Sequence, residues 1–434
     1  MKHPFSYSDL LSSYDIMREE KDVGIMKVLC FGSMNIDESY LMDHFVRPGE
    51  TQSALKCTRS LGGKGFNQAL AIAKAGGEVI MAGCIGSDGY DFKKALEQYH
   101  CTTQFIREVN APTGHAFIQV AGGENAIVIN HGANHAITDA FIDEVLSVMH
   151  AGDMILLQNE INNVDKIIKK AHERKLKIIF NAAPMHETVL DYPLDVIDLL
   201  VVNVREAQAL TNNPTSLEEL MNALETKFMH QDILLTVGGQ GSYYLSEGKR
   251  KYVAALSCHV VDTTGAGDTY IGYYLASLMA NKSIEEAMQI ASLAAACTCE
   301  KSGASSAIPT KDELKKAYII RQAINLPVFE GKSVTYHKGE FDKNIPHFDE
   351  ATKDYVYRFY KLGLFDEDYY KHFKKMGVKA IEDMDLLECV TMLTFYMREE
   401  RVHTALMAHA IENGKFKAIA DRLQELIRLE VAHD

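Results

Sequence analysis

The chain has 434 residues, 47% hydrophobic and 24% charged, with a formal net charge of −14; it has room for two or three domains, and its negative balance opposes a broad footprint for nucleic acid or an anionic membrane. No apolar run approaches the roughly 18 residues of a membrane span, and the N-terminal segment lacks the apolar core of a signal peptide. The eight cysteines are scattered without a C-x-x-C pair, which disfavours zinc and fits reduced, buried thiols in a cytoplasmic protein.

Residues 1–26 read as an N-terminal extension. From Lys27 to about residue 309, short apolar runs alternate with amphipathic stretches. The expected buried strands are "KVLCFGS", "VIMAGCIG", "MILLQNE", "KIIFNAAP", "LLVVNV" and "DILLTVGG". Between them lie helical patterns such as "NQALAIAKAG", "VDKIIKKAHERK" and "SLEELMNALETKF". That alternation predicts an α/β fold, a parallel sheet covered by helices on both faces, with ligands at the carboxyl ends of the strands. Residues 37–60 and 113–130 break the pattern and read as a small antiparallel β-flap. The segment "KYVAALSCHVVD" is strand-like. After Pro309 the composition turns to Tyr, Phe, Lys, Glu and Met with helical periodicity. This predicts an all-α appendage over 319–434, joined through the connector "INLPVFEGKSVTYHKGEFDKNIP" to a domain spanning 27–318. Its stretches "DEATKDYVYRFYKLG" and "DEDYYKHFKKMG" open on acids and close on glycine, as helices do.

Two stretches carry chemistry. In "VVDTTGAGDTY", Gly265, Ala266 and Gly267 precede apolar residues at helical spacing, so their amides form a helix N-terminus suited to an anion. Asp268 in that first turn has two readings, a complement to the helix dipole or the base of a phosphoryl transfer, with Gly265–Gly267 cradling the moving group. Asp262, at the expected strand end, is a candidate cation ligand. In "LGGKGFNQALAIAKAG", glycines around Lys64 allow close backbone approach, and Lys64 with Asn67 can hydrogen-bond a polyol.

These stretches join "GSMNID", "PGET", "LLQNE", "NAAP", "NVRE" and "TVGGQG" in one order. In that order they resemble the ribokinase family of carbohydrate kinases over about residues 27–309. The resemblance implies a parallel α/β sheet with a β-lid and ATP-dependent phosphorylation of a sugar's primary hydroxyl, most simply that of D-ribose. By matching position, Asn35, Asp37, Gly63, Lys64, Asn67 and Glu160 would bind the sugar and Asp268 would deprotonate it. Gly265, Ala266 and Gly267 would form the anion hole. Asn203, Glu206, Thr236, Val237, Gly238, Gly239, Gln240, Gly241, Gly267 and Ser292 would serve the nucleotide, Asn203 and Glu206 through Mg²⁺ and phosphate. Asp262, Thr264, Thr298, Lys301, Gly303 and Ala307 would surround a monovalent cation, K⁺.

The pattern also departs from the family. Phe66 stands at a usually small site, Ala307 where serine often completes the cation site, and Ser292 where the adenine contact is often bulkier. Asn203 with Glu206 three residues on also fits a helix capping box. A kinase for another sugar, deoxyribose or a nucleoside remains open, as does a non-catalytic sensor signalling through the tail. His131 and His135 in "HGANH" read as lid-loop residues rather than a metal pair, and His403 and His409 as tail helix residues. The expected assembly is a homodimer, with the C-terminal helices as a surface for self-association or a protein partner.

Overall fold

The computed structural model describes residues 27–122, 124–323, 326, 328–331, 334–338, 344–362, 364–366, 368–399 and 406–433; the expected extension 1–26 and His403 lie outside the described residues. Two units meet at Ile308 and Pro309. The helix Lys311–Ala323 therefore belongs wholly to the second unit, whereas the boundary expected at 318/319 would cut it.

In chain order the strands of the first unit are β1 Val28–Phe31, β2 Asn35–Leu41, β3 Lys56–Gly62, β4 Val79–Ile85, β5 Thr102–Glu108, β6 Gly114–Ala121, β7 Glu124–Asn130, β8 Met154–Gln158, β9 Lys177–Asn181, β10 Leu199–Asn203, β11 Asp232–Thr236, β12 Ser242–Ser246 and β13 Lys249–Val253. The apolar runs become one sheet in the order β13-β12-β11-β10-β9-β8-β1-β4-β5. Its strands from β11 to β5 run parallel, and β12 and β13 add an antiparallel edge. Every residue of β1, β4 and β8 is buried, as expected for strands covered on both faces. Strand β5 was not among the expected runs; at the sheet edge, buried and exposed residues largely alternate along it. Strand β13 stops at Val253, short of the run through Asp262 that looked strand-like.

After β1 the chain builds β4 and β5 on one side, then returns to β8 on the other. The carboxyl ends of β1 and β8 thus flank a topological switch point, where such sheets bind ligands. The core there is apolar: Phe31, Ile155, Leu157, Ile168 and Phe180 sit in one cluster. Helix starts follow local chemistry, with Ser216 and Ser283 each closing a capping box with the glutamate three residues on.

The flap is a separate sheet in the order β3-β2-β6-β7. Its outer pairs are antiparallel, but the central pair β2–β6 is parallel, which corrects the all-antiparallel expectation. The chain passes through β4 and β5 between these strands, and a long connection of that kind is what a parallel pair needs.

The second unit has its own core, in which Phe329, Tyr355, Phe359, Leu393, Phe416 and Leu423 cluster. After Lys311–Ala323 its helices are Glu350–Lys361, capped by Asp349, then Tyr369–Met376, Leu386–Glu399, Leu406–Glu412 and Lys415–His433. The all-α expectation omitted one element. An antiparallel hairpin of β14 (Val334–Lys338) and β15 (Asn344–Phe348) forms within the expected connector and runs two residues past its end.

Candidate active site

The residues expected to hold the sugar cluster at the switch point. Leaving β1, Ser33 donates through its hydroxyl to Glu160, and the Lys64 backbone N–H donates to the same Glu160 oxygen at 2.9 Å. Glu160 therefore ties the end of β8 to the glycine loop. In the register of β2 with β3, Asn35 lies opposite Gly62 and Asp37 opposite Ser60. A Cβ at Gly62 would collide with the Asp37 carboxylate, so the glycine is what lets Asp37 turn inward. Burial, then the charges of Glu160 and Asp268, push the Asp37 carboxyl up to about 7.

Asp268 is buried in the first turn of the helix Ala266–Met279. Its carboxylate accepts from Asn67 Nδ2 at 3.1 Å and Gln68 Nε2 at 2.8 Å. Gln68 is fixed in turn, since its Oε1 accepts from Gln158 Nε2 at 2.7 Å and its Nε2 also reaches Asn181 Oδ1 at 3.1 Å. Asn67 Oδ1 is buried without a partner among the described residues. A buried orphan acceptor beside a carboxylate suits a hydroxyl donor. The Asp268 charge, opposed by burial and helped by Glu160 and Glu206, raises the Lys64 ammonium above its ordinary range, so Lys64 carries its charge here.

Lys64, Asn203, Glu206, Thr236, Gly265, Gly267 and Asp268 share one cleft of about 210 Å³. A Cβ at Gly267 would meet nothing within 4 Å. The glycine is unexplained by protein packing and leaves a cradle open at the helix N-terminus, where a methyl group would intrude on an anion.

Asn203 and Glu206 are a capping pair whose side chains also face the cleft. In this reciprocal capping box, Glu206 accepts from the Asn203 backbone at 2.9 Å and side chain at 2.7 Å. Of the other expected nucleotide residues, Thr236 and Gly267 share that cleft and the rest lie outside it. Val237, Gly239 and Gln240 line a different depression with Gln208 and Ser216, Gly238–Gln240 form a short 3₁₀ turn closed by Gly241, and Ser292 donates to the Ala254 carbonyl at 3.3 Å.

The expected cation residues form two joined loops. Asp262 Oδ1 accepts from the Thr264 N–H at 2.9 Å and hydroxyl at 2.6 Å, and Oδ2 from the Gly303 N–H at 3.0 Å. Against burial, which would raise it, these bonds hold Asp262 below the usual carboxylate range. The Lys301 N–H donates to the Thr298 carbonyl at 3.2 Å and the Ala307 N–H to that of Ala304. The loop also abuts the glycine turn before the helix Ala266–Met279, since a Cβ at Gly265 would come within 3.1 Å of Ala304. Phe66, the oversized residue of the glycine loop, is accommodated by an edge-on contact with Phe92 at 4.9 Å.

Sequence reasoning missed Gln68, Gln158, Asn181 and Asn134. Asn134 is buried and bridges the site, donating to Asn35 Oδ1 at 2.7 Å and accepting from the Met34 N–H at 3.0 Å. The available signal was a polar residue inside an otherwise apolar run, as in "MILLQ" and "KIIFN". A buried amide on a core strand requires partners.

Residues 26–311 match the pfkB family of carbohydrate kinases, and residues 332–429 match a family of unknown function, DUF6508. The ribokinase of Haemophilus influenzae is 33% identical over 293 residues, spanning 65% of this chain and 95% of that protein. Among solved structures, ribokinase from Cryptococcus neoformans in complex with ADP shares 33% identity with a TM-score of 0.60, covering 67% of this chain and 99% of that one. Arabidopsis thaliana ribokinase complexed with ribose and ATP shares 29% identity with a TM-score of 0.61, covering 67% and 98%. These likenesses fall on the unit that holds the Asp268 cleft, and through that unit the chain belongs to the pfkB family of carbohydrate kinases.

Proposed function

We propose that this sugar kinase transfers the γ-phosphoryl group of ATP to the primary hydroxyl of D-ribose, giving D-ribose 5-phosphate and ADP. The observation that carries the reading is Asp268, buried between two amide donors and beside the open Gly267 cradle. The relatives named ribokinase, one solved with ribose and ATP, support the choice of substrates.

In this mechanism Asp268 takes the hydroxyl proton as the sugar oxygen bonds to the γ-phosphorus and the bond to the β–γ bridging oxygen breaks. Charge on the moving group falls on the amides of Gly265–Gly267 and on Lys64. Asn35, Asp37, Gly63, Asn67 and Glu160 orient the sugar, and the nucleotide lies toward Asn203, Thr236 and Gly238–Gly241. Among the described residues no three His, Cys, Asp or Glu side chains are grouped to hold a metal; Mg²⁺ would be held chiefly by the phosphates, with Glu206 and Asn203 alongside. The ionised Asp262, with Thr264 and the loop containing Thr298, Lys301, Gly303 and Ala307, fits a monovalent cation. Bound there, K⁺ would supply positive charge behind the anion hole. Equal turnover in sodium-only and potassium buffers would remove that assignment. Phe117 and Val128, exposed and paired on the lid face opposite Asp37, support a homodimer, which sedimentation equilibrium would test.

An ADP-release assay over a panel of sugars and nucleosides tests the substrate. Ribose is expected to give the highest kcat/KM. A better nucleoside, deoxyribose or other sugar would replace it, and no ADP release with any acceptor would favour the sensor.

A further inference from the structure

Asn35 and Glu160 line a second cavity, of about 240 Å³, whose walls do not include Asp268. Its other walls include Ile129 from the lid, Pro184, and two histidines, His131 and His186. His131 was expected only as a lid-loop residue, and His186 lies in none of the motifs above.

Two constraints hold His131 in place. Its ring stacks on His135, with centroids 3.9 Å apart and planes 8° from parallel. Both rings flank the short turn Gly132–His135, which contains Asn134, itself pinned to Met34 and Asn35. Among the described residues, neither ring nitrogen of His131 has a hydrogen-bond partner. A fixed, half-buried imidazole with a free nitrogen at the cavity wall is a polar reader of whatever fills the cavity.

The direction of the sugar follows from the proposed reaction, on which this inference rests. With the C5 hydroxyl at Asp268, C1 and C2 are the ring carbons across the furanose from C4, and Glu160, bonded to the glycine loop, also lines this cavity. We propose that His131 hydrogen-bonds the anomeric hydroxyl of the sugar, with His135 as the positioning residue that holds it. A site built to hydrogen-bond a hydroxyl discriminates against the analogue lacking it, because its polar group is left unpaired.

The test compares D-ribose with 1,4-anhydro-D-ribitol, the same ring without the C1 hydroxyl, by KM and kcat. The wild-type chain should have a KM for ribose roughly threefold to tenfold lower than for the analogue, the span of one neutral hydrogen bond. His131→Phe, which keeps a ring on the stack, should raise the ribose KM to the analogue's value with kcat and melting temperature unchanged. His135→Phe should preserve the wild-type ratio and His135→Ala should erode it. A wild-type ratio of one, or a His131→Phe ratio equal to wild type, overturns the inference while leaving the ribokinase reaction intact. Failure of the wild-type chain to phosphorylate ribose at all would overturn both.

Discussion

Replacing Asp268 by asparagine separates its role as a base from its place in the packing. The carboxylate accepts from Asn67 and Gln68, whereas asparagine offers one oxygen and one NH₂. Gln68 cannot turn, because both ends of its amide are engaged, so the new oxygen must stay on Gln68. Asn67 can turn: its Oδ1 has no partner among the described residues, and a flip presents it to the new NH₂. The donor–donor conflict is thereby relieved, and the fold should lose no more than about 1 kcal/mol. Catalysis loses the proton acceptor, worth about 10²- to 10⁴-fold, or roughly 3–5 kcal/mol at about 1.36 kcal/mol per decade. Steady-state ADP release with ribose, read beside thermal melting, measures both. A variant that melts like wild type and turns over within tenfold of it would refute the base. One that fails to fold would refute the flip.

Gly267→Ala should fold normally, since the new methyl meets no protein atom within 4 Å, yet it should lower kcat/KM about 10²-fold or more by filling the anion cradle. The raised pKa of Asp37, about 7 against an ordinary 3.8, makes two signed predictions. The neutral carboxyl is the form the free fold favours, so Asp37 costs stability as pH rises from about 4 to 7; Asp37→Asn should therefore stabilise the sugar-free protein at pH 8, by about 4 kcal/mol at most. If the carboxylate is what accepts sugar hydroxyls, the ribose KM should rise as pH falls below about 7, a dependence absent in Asp37→Asn. In the second unit, Asp366 is buried and accepts from Lys315 at 2.8 Å, His372 at 2.7 Å and Thr391 at 2.7 Å. Asp366→Ala should destabilise that unit by about 1.5–3 kcal/mol, the worth of hydrogen bonds to a charged group, in chemical denaturation, while kinase turnover at low temperature stays unchanged.

The parts of this chain that could be read beforehand are those where local chemistry decides alone. Runs such as "VIMAGCI" are apolar throughout and short enough to read as covered strands, and Lys64 between two glycines and Asp268 after one announce loops that approach a ligand. The edge strand β5 escaped because its burial largely alternates, and the β14–β15 hairpin because its sequence is polar enough to pass for a connector. The parallel β2–β6 pairing is set by a crossover through the main sheet, which no window on either strand contains. Asn35, Asp37 and Glu160 were identifiable at strand ends, but Gln68 sits on a helix face among alanines, and only the fold brings it to Asp268. His131 was visible as a lid-loop residue; its stack on His135 and its place in the cavity are products of tertiary structure.

The central claim is a phosphoryl transfer from ATP to the carbon-5 hydroxyl of ribose, and product identity tests it most directly. With [5-¹³C]ribose and ATP, the ³¹P spectrum of the reaction should show a new phosphomonoester coupled to the labelled carbon, appearing as ATP is converted to ADP. A phosphoryl group without that coupling, or no consumption of ATP in the presence of ribose, would contradict it.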